Sequence, residues 1–366
     1  SFKLGCGLYN LGNTCFLNAS LQCLLNLEPL RNFLVSKAHS KRCSNRRFCF
    51  LCALEQLAQQ FQNSRKPVAP KQLVQHLRQL SRNLRPGRQH DAHEFMRCFI
   101  DAIHEACIYN ELNHHLNNVQ ELQSYRANLK KHKKKVISIL QKLETTTAIH
   151  QFFGGQLLSQ VQCAACKHNS NTFDPFLDLS VDISAQHLDR ILANFSASER
   201  LDSDNKYRCE KCGKQTRARK RLCIADSPLP PLFALHLKRF DYLGRKISTH
   251  IRFQPTLNLA PYLESSSHLP KKKRKRQPQS NIAPVIYDLQ GIVVHSGYSR
   301  HSGHYYAYLK NGNKWYCMND SHVKQVSLSR VLNAEAYMLF YTCHNINILS
   351  KLSSSKLSSS KLSSSK

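Results

Sequence analysis

Acidic residues are scarce in this chain. Its 366 residues hold 23 Asp and Glu against 53 Lys and Arg, a formal net charge of +30. No apolar run approaches the length of a membrane span, so the sequence predicts no transmembrane helix and no membrane partner. The opening stretch SFKLGCG lacks a secretory apolar region. The 15 cysteines are odd in number and spread over a long chain, which argues against a disulfide scaffold. The expectation is a reducing, intracellular setting in which cysteines are catalytic, metal-bound or merely buried. The chain opens on Ser1, only a few residues before a crowded motif, as a piece trimmed from something longer would. A hydrophobic content of 41% excludes a disordered basic tail and permits a substantial core.

The positive excess predicts attraction to nucleic acid, acidic proteins or anionic surfaces, and charge alone does not choose among them. Part of it is clustered in KKHKKK (130–135) and PKKKRKR (270–276), both in polar surroundings that read as solvated insertion loops. PKKKRKR also has the composition of a nuclear import signal. The expected location is therefore nuclear, with the nucleolus included and the cytoplasm as the alternative. The closing LSSSKLSSSKLSSSK repeat has no capacity to form a core and is expected to be a disordered tail over 344–366.

From 15 to about 108 the apolar spacing is helical, as in LCALEQLAQQF, KQLVQHLRQL and AHEFMRCFIDAIHEA, with breaks at PVAP and RPGR. Residues 110–147 are polar and basic, an insertion. From FFGGQLLSQVQC onward the pattern turns to short β-like runs: FDPFLDLSVDI, PLFALHLKRFDYL, VIYDLQGIVVHSGY and HYYAYLKNGNKWYCM. A helical front and a β-rich back predict an α+β fold with its site where the halves meet.

LYNLGNTCFLN (8–18) raises the central question. Leu17, Leu21, Leu24 and Leu25 form the apolar stripe of an amphipathic helix, so Cys15 falls in its first turn, where unpaired N–H groups favour a thiolate. Asn13 and Thr14 are candidate caps. Burial as a small hydrophobe explains this cysteine equally well until a partner is found.

Two further cysteine groups stand out. Cys163, Cys166, Cys209 and Cys212 form two C-x2-C pairs separated by 42 residues, the spacing of two knuckles closing a four-thiolate structural zinc site. His39, Cys43, Cys49 and Cys52 are less regularly spaced, and Cys52 opens an apolar helix where burial is the usual explanation. The spacing therefore weighs against a second cluster.

A cysteine nucleophile needs a histidine to take its proton and a third group to orient that imidazole. HYYAYLKNGNKWYCMN (304–319) reads as two strands about Asn311-Gly312. With those two residues as the loop, Lys310 pairs with Asn313 and His304 lies opposite Asn319, on one face. Asp320 falls on the other face unless a bulge intervenes, and Gly303 leaves room for a substrate to pass.

A Cys, His, Asn set is the papain-like cysteine protease constellation, and here the chain resembles the ubiquitin-specific proteases. LYNLGNTCFLNASLQCL looks like that family's Cys box and YDLQGIVVHSGYSRHSGHYYAYLKNGNKWYCMNDSHV like its His box. QHDAHEF, FDPFLDLSVDI, both C-x2-C pairs and LHLKRF lie between them in the family's order. HSKRCSNRRFCFLC and DPFLDLSVDI look most like the branch that includes the fly protein scrawny and its vertebrate relatives. The resemblance implies a hand: a helical thumb to about 150 with the 110–147 insertion, zinc-tipped β fingers over about 151–235, and a β palm over about 236–343 interrupted by a basic insertion at 265–282. It implies hydrolysis of the isopeptide bond after ubiquitin's C-terminal glycine, with no cofactor for catalysis. Cys15 would be the nucleophile, His304 the general base and acid, Asn319 its orienting partner with Asp320 able to share the role, and Asn10 the oxyanion donor. Gln89, Asp91 and Glu94 would bind ubiquitin's arginine-bearing tail, with Gly303, Phe240 and Tyr305 shaping the channel. The implied partners are ubiquitin and ubiquitinated proteins, and nucleic acid or chromatin through the basic insertions. The alternatives are a protease for another di-glycine modifier and a silent basic zinc protein that binds nucleic acid.

Overall fold

The computed structural model describes residues 4–45, 47–115, 143–202, 205–264, 284–299 and 302–344. KKHKKK, PKKKRKR and the LSSSK repeat lie outside the described residues.

Six helices come first: α1 (Cys15–Asn26), α2 (Glu28–Ser36), α3 (Phe50–Asn63), α4 (Lys71–Gln75), α5 (Leu77–Leu80) and α6 (Ala92–His115). Leu27 is extended, and Pro29 in the first turn of α2 supplies the fixed φ that starts the next helix at a new angle. A short α7 (Ala148–Phe153) is capped by Thr147, whose hydroxyl accepts from the His150 N–H at 3.1 Å. The chain then turns to strands.

β1 (Gly155–Cys163), β2 (Asn169–Phe176), β4 (Glu199–Leu201) and β7 (Ala218–Ile224) form a four-stranded sheet in the order β2-β1-β7-β4. At its far end β5 (Tyr207–Arg208) pairs with β6 (Gln215–Thr216). The larger sheet holds β3 (Leu179–Asp182), β8 (Leu232–Lys238), β9 (Thr256–Asn258), β10 (Ile286–Ser299), β11 (Ser302–Asn311), β12 (Lys314–Asn319), β13 (His322–Val326) and β14 (Ala336–Cys343). Among the described residues its order is β13-β12-β11-β10-β14-β8-β3, with β9 on the edge of β10.

Both faces of this sheet are covered, and the strand sequences explain why they read as continuous apolar runs. Val293, Ala307, Leu309, Met318, Met338 and Phe340 point to a core shared with α1, α3 and α6. Their neighbours Ile292, Val294, Tyr308, Leu339 and Tyr341 point the other way, to a second core with α8 (Leu188–Phe195). The residues between the two C-x2-C pairs feed Leu179, Val181, Ile191 and Leu192 into that second core.

The amphipathic stripe expected for α1 is only part of its story. All twelve of its residues are buried, Asn18, Ser20, Gln22 and Asn26 included. The leucines meet the helical layer and the sheet, while the amides at 18, 22 and 26 occupy one line at i, i+4 and i+8 and bond the hairpin β11–β12 and its flank. A buried polar stripe with partners is as stable a solution as an exposed one.

Phe95 ties α6 to α1: its ring meets Phe16 edge-on at 5.6 Å and stacks on Phe99 at 5.4 Å. Truncation by Phe95→Ala is expected to cost about 3–5 kcal/mol of stability through lost burial and the cavity left behind, read as a lower urea midpoint at unchanged slope.

Candidate active site

Cys15 is the first residue of α1 and is buried. Neither residue before it caps the helix with its side chain. The Thr14 hydroxyl instead accepts the Leu11 N–H at 2.9 Å, and Asn13, at φ 55°, donates to the Gly87 carbonyl at 2.9 Å. The first-turn N–H groups of α1 are thereby left facing the thiol's surroundings.

His304 stands on β11 beside Cys15. Its Nε2 contacts Asn319 Oδ1 at 2.6 Å, which leaves Nδ1 for the thiol. Hydrogen bonding to Cys15, and then to Asn319, outweighs burial and raises the imidazole pKa from 6.5 to about 9. The neighbouring charge of Asp320 acts in the same direction.

The hairpin that brings His304 and Asn319 together is shifted from the expected register. Asn311 pairs with Lys314 and Ala307 with Met318, so the loop is Gly312-Asn313 and the residue opposite Asn319 is Tyr306. Gly312 has φ 58° and Asn313 is not among the positive-φ residues, the pattern of a type II′ turn with glycine first rather than the Asn-Gly type I′ turn. A shift of two residues keeps every side chain on its face. His304 therefore reaches Asn319 diagonally instead of directly.

Asp320 faces away from the imidazole, as the strand alternation requires. It sits at φ 50° in the turn from β12 to β13. Its Oδ2 accepts from Asn10 Nδ2 at 3.0 Å and its Oδ1 from Asn18 Nδ2 at 2.7 Å. Its carbonyl accepts from the Leu8 N–H and from Gln22 Nε2. Asn10 in turn accepts the N–H groups of Gly12 and Thr14 on Oδ1, both at 3.1 Å. These contacts fix which end of the Asn10 amide is which, and the second Nδ2 hydrogen remains available to a substrate oxygen. Asn18, Gln22 and Tyr337 were missed in the sequence. The only signal was amides at four-residue spacing on an otherwise apolar helix.

The QHDAHEF segment divides differently from the expectation that both acids lie open on one helix face. Asp91 is the N-cap of α6: Oδ1 accepts from His93 and Glu94 N–H at 2.8 and 3.0 Å, and Oδ2 accepts the Tyr337 hydroxyl at 2.6 Å. Both of its oxygens are committed within the fold. Asp91 and Glu94 have the spacing of a capping box, which the sequence did display. Glu94 keeps a half-buried carboxylate, and Gln89 Oε1 accepts the Gly303 N–H at 3.1 Å.

Gly303 leaves no open passage beside its own backbone. A Cβ there would lie 2.4 Å from His295 Nε2, and φ is 153°, so glycine is required by packing. Phe240, His295, Tyr305 and Tyr337 form one aromatic cluster, with centroids 4.6–5.9 Å apart. Tyr305 is buried within it and Phe240 is half-exposed. Burial, helped by Lys246, lowers the His295 pKa to about 4, so this second histidine is neutral.

At the far end of the four-stranded sheet, Cys163, Cys166, Cys209 and Cys212 converge, with all four sulfurs within 4.8 Å of one another. Two of the separations, Cys163–Cys212 at 4.0 Å and Cys166–Cys209 at 3.6 Å, bracket the roughly 3.8 Å edge of a tetrahedron with ~2.3 Å metal–sulfur bonds. Each pair is a tight turn closed by its own backbone, Lys167 N–H to Cys163 O and Gly213 N–H to Cys209 O. The donor set suits a soft, tetrahedral ion. His39, Cys43, Cys49 and Cys52 are also brought within 4.8 Å of one another, although their spacing argued against it.

Comparison with known proteins agrees with this geometry. The family model for ubiquitin carboxyl-terminal hydrolases matches residues 6–341. Ubiquitin carboxyl-terminal hydrolase 42 of Homo sapiens is 36% identical over 343 residues, 93% of this chain and 23% of the relative. Ubiquitin carboxyl-terminal hydrolase 23 of Arabidopsis thaliana is 38% identical over 356 residues, 96% and 37% respectively. The chain thus spans about a quarter to two-fifths of the length of these relatives. Among solved structures, Ubp8 in the SAGA DUB module bound to ubiquitin aldehyde superposes with a TM-score of 0.74 at 32% identity, covering 93% of this chain and 70% of that one.

The raised His304 pKa gives a direct test. In spectra of histidine-labelled protein, His304 is expected to titrate near pH 9 and to move to lower pH in Asn319→Ala. Its contribution to stability is fully present below about pH 6.5 and is lost as pH rises through about 9. An unmoved midpoint in Asn319→Ala would count against the contact.

The helical layer carrying Cys15, the covered β-sheet carrying His304 and Asn319, the four-stranded projection ending in four cysteines, and the match over nearly the whole chain lead to one conclusion: this chain belongs to the ubiquitin carboxyl-terminal hydrolase family.

Proposed function

We propose that the chain is a thiol-dependent deubiquitinase that hydrolyses the isopeptide bond after ubiquitin's C-terminal glycine. The observation that carries the reading is the line Cys15, His304, Asn319 with the Asn10 amide beside it.

In this mechanism the Cys15 thiolate adds to the isopeptide carbonyl carbon, and the developing oxyanion takes a hydrogen bond from Asn10 Nδ2. Donors of this kind typically contribute about 2.7–4 kcal/mol. Collapse breaks the C–N bond as the His304 imidazolium gives its proton to the leaving lysine amine, leaving ubiquitin joined to Cys15 as a thioester. Neutral His304 then takes a proton from water, whose oxygen attacks the thioester, and Cys15 departs as thiolate. Asn319 holds the ring in line and supports its charged form. Asp320 acts on the same reaction through Asn10 and Asn18, as a positioning residue.

Ubiquitin's tail carries arginines before its two glycines. Glu94 offers them a carboxylate, while Asp91 contributes by capping the helix on which Glu94 stands. Gln89 and Gly303 bound the route to Cys15, and Phe240 supplies its apolar wall. The four cysteines from Cys163 to Cys212 hold structural zinc, which fixes the finger tip and takes no part in the chemistry. Location in the nucleus rests on the composition of PKKKRKR, and contact with nucleic acid on the two basic insertions.

Two experiments test the reading. Ubiquitin bearing a thiol-reactive C-terminus is expected to form a covalent adduct that Cys15→Ala abolishes, and related di-glycine modifiers run in parallel are expected to react more slowly. No adduct from folded, zinc-loaded protein would contradict it. Asn10→Ala is expected to lower kcat on a ubiquitin substrate about 10²–10³-fold with little change in KM.

A further inference from the structure

The helical layer carries a second cluster. The connection between α2 and α3 runs KAHSKRCSNRRFC from Lys37 to Cys49. It is polar and strongly basic, with nothing resembling a core of its own. Between Lys37 and Arg47, His39 is nonetheless buried and Cys43 half-buried while most of their described neighbours are exposed. Cys49 immediately precedes α3 and Cys52 lies in its first turn, so both thiols sit where helix N–H groups favour the thiolate.

Four donors converge here: His39 Nδ1 or Nε2 and the sulfurs of Cys43, Cys49 and Cys52 lie within 4.8 Å of one another, with His39 Nε2 only 3.2 Å from Cys49 Sγ. All three thiols are free. The surroundings hold the donors in place. The buried Glu55 carboxylate of α3 accepts the His39 and Ser40 N–H groups at 3.0 and 2.8 Å, and Asn110 of α6 accepts the Ser44 N–H at 3.3 Å. These bonds orient the loop backbone and leave the donor atoms to one another. Simple burial explains one cysteine at a helix start; it does not explain three thiols and an imidazole turned inward from a loop that is otherwise exposed.

We infer that His39, Cys43, Cys49 and Cys52 form a second, structural zinc site, a tetrahedral one-nitrogen, three-sulfur centre that fastens the α2–α3 connection to the start of α3. The donor number, donor softness and helix-terminal thiols all match this ion. Such a site would substitute for the apolar core that the basic loop cannot build, and would brace α3 against α6, which carries Glu94. The inference stands independently of the proposed activity and of the finger site.

The test uses the whole chain, expressed with zinc and desalted without chelator. Metal analysis is expected to give two zinc ions per chain, and X-ray absorption at the zinc edge a shell of seven sulfurs and one imidazole nitrogen shared between them. Cys43→Ser with Cys52→Ser is expected to halve the zinc and remove the nitrogen. Cys209→Ser with Cys212→Ser is expected to halve it and keep the nitrogen. A sulfur-only shell in the unaltered chain, with one ion or two, overturns the inference whether or not the variants fold. One ion with a mixed shell supports this site and counts against the finger site instead.

Discussion

Everything at the candidate site depends on how a buried helix is fastened to a hairpin more than 280 residues away in sequence. The fastening is Asp320. Held at φ 50° in a tight turn, it presents both carboxylate oxygens and its carbonyl to the start of the helical layer, and Asn10, Asn18, Gln22 and the Leu8 N–H converge on it. Apolar packing brings α1 to the sheet but is non-directional; the amide bonds fix its rotation and its height. Since Cys15 belongs to α1 and His304 to the hairpin, that same docking sets their mutual position. A buried polar network of this kind rigidifies when complete and is costly when any member is lost.

The scarcity of acid in so basic a chain makes the placement of each carboxylate informative. Asp91 caps α6 and receives Tyr337, Glu55 holds the loop bearing His39, Glu335 pairs with the buried Lys246 at 2.7 Å, and Asp320 joins the two halves. Each acts on backbone N–H groups or on a buried partner, where an ionised acceptor contributes most. The surface positive charge is therefore left largely uncompensated, in keeping with a chain that meets acidic or polyanionic partners.

The hand-like arrangement was legible in the sequence because its signals are local. Helical periodicity over residues 15 to 108, β-like runs from 155 onward, two C-x2-C turns and a glycine-centred hairpin each depend on a few adjacent residues. What was not legible depends on contacts across the chain. The stripe on α1 predicts one wet face, whereas the amides at 18, 22 and 26 find partners on a distant hairpin. Asn311-Gly312 fits one turn type so well that the neighbouring alternative, Gly312-Asn313, was passed over, and only the two-residue size of the error preserved the facing of His304 and Asn319. Asp91 read as a free acid because its second partner, Tyr337, lies 246 residues away. The cluster at His39 was discounted for its irregular spacing, but a loop may close on itself by a path that spacing does not record.

The most direct measurement is a double-mutant cycle between Asp320 and Asn10, read in kcat/KM on a ubiquitin substrate for Asp320→Ala, Asn10→Ala and the pair, with thermal unfolding followed in parallel. If Asp320 works by holding the Asn10 amide, the double variant loses scarcely more activity than Asn10→Ala alone. Independent, additive losses would contradict the account.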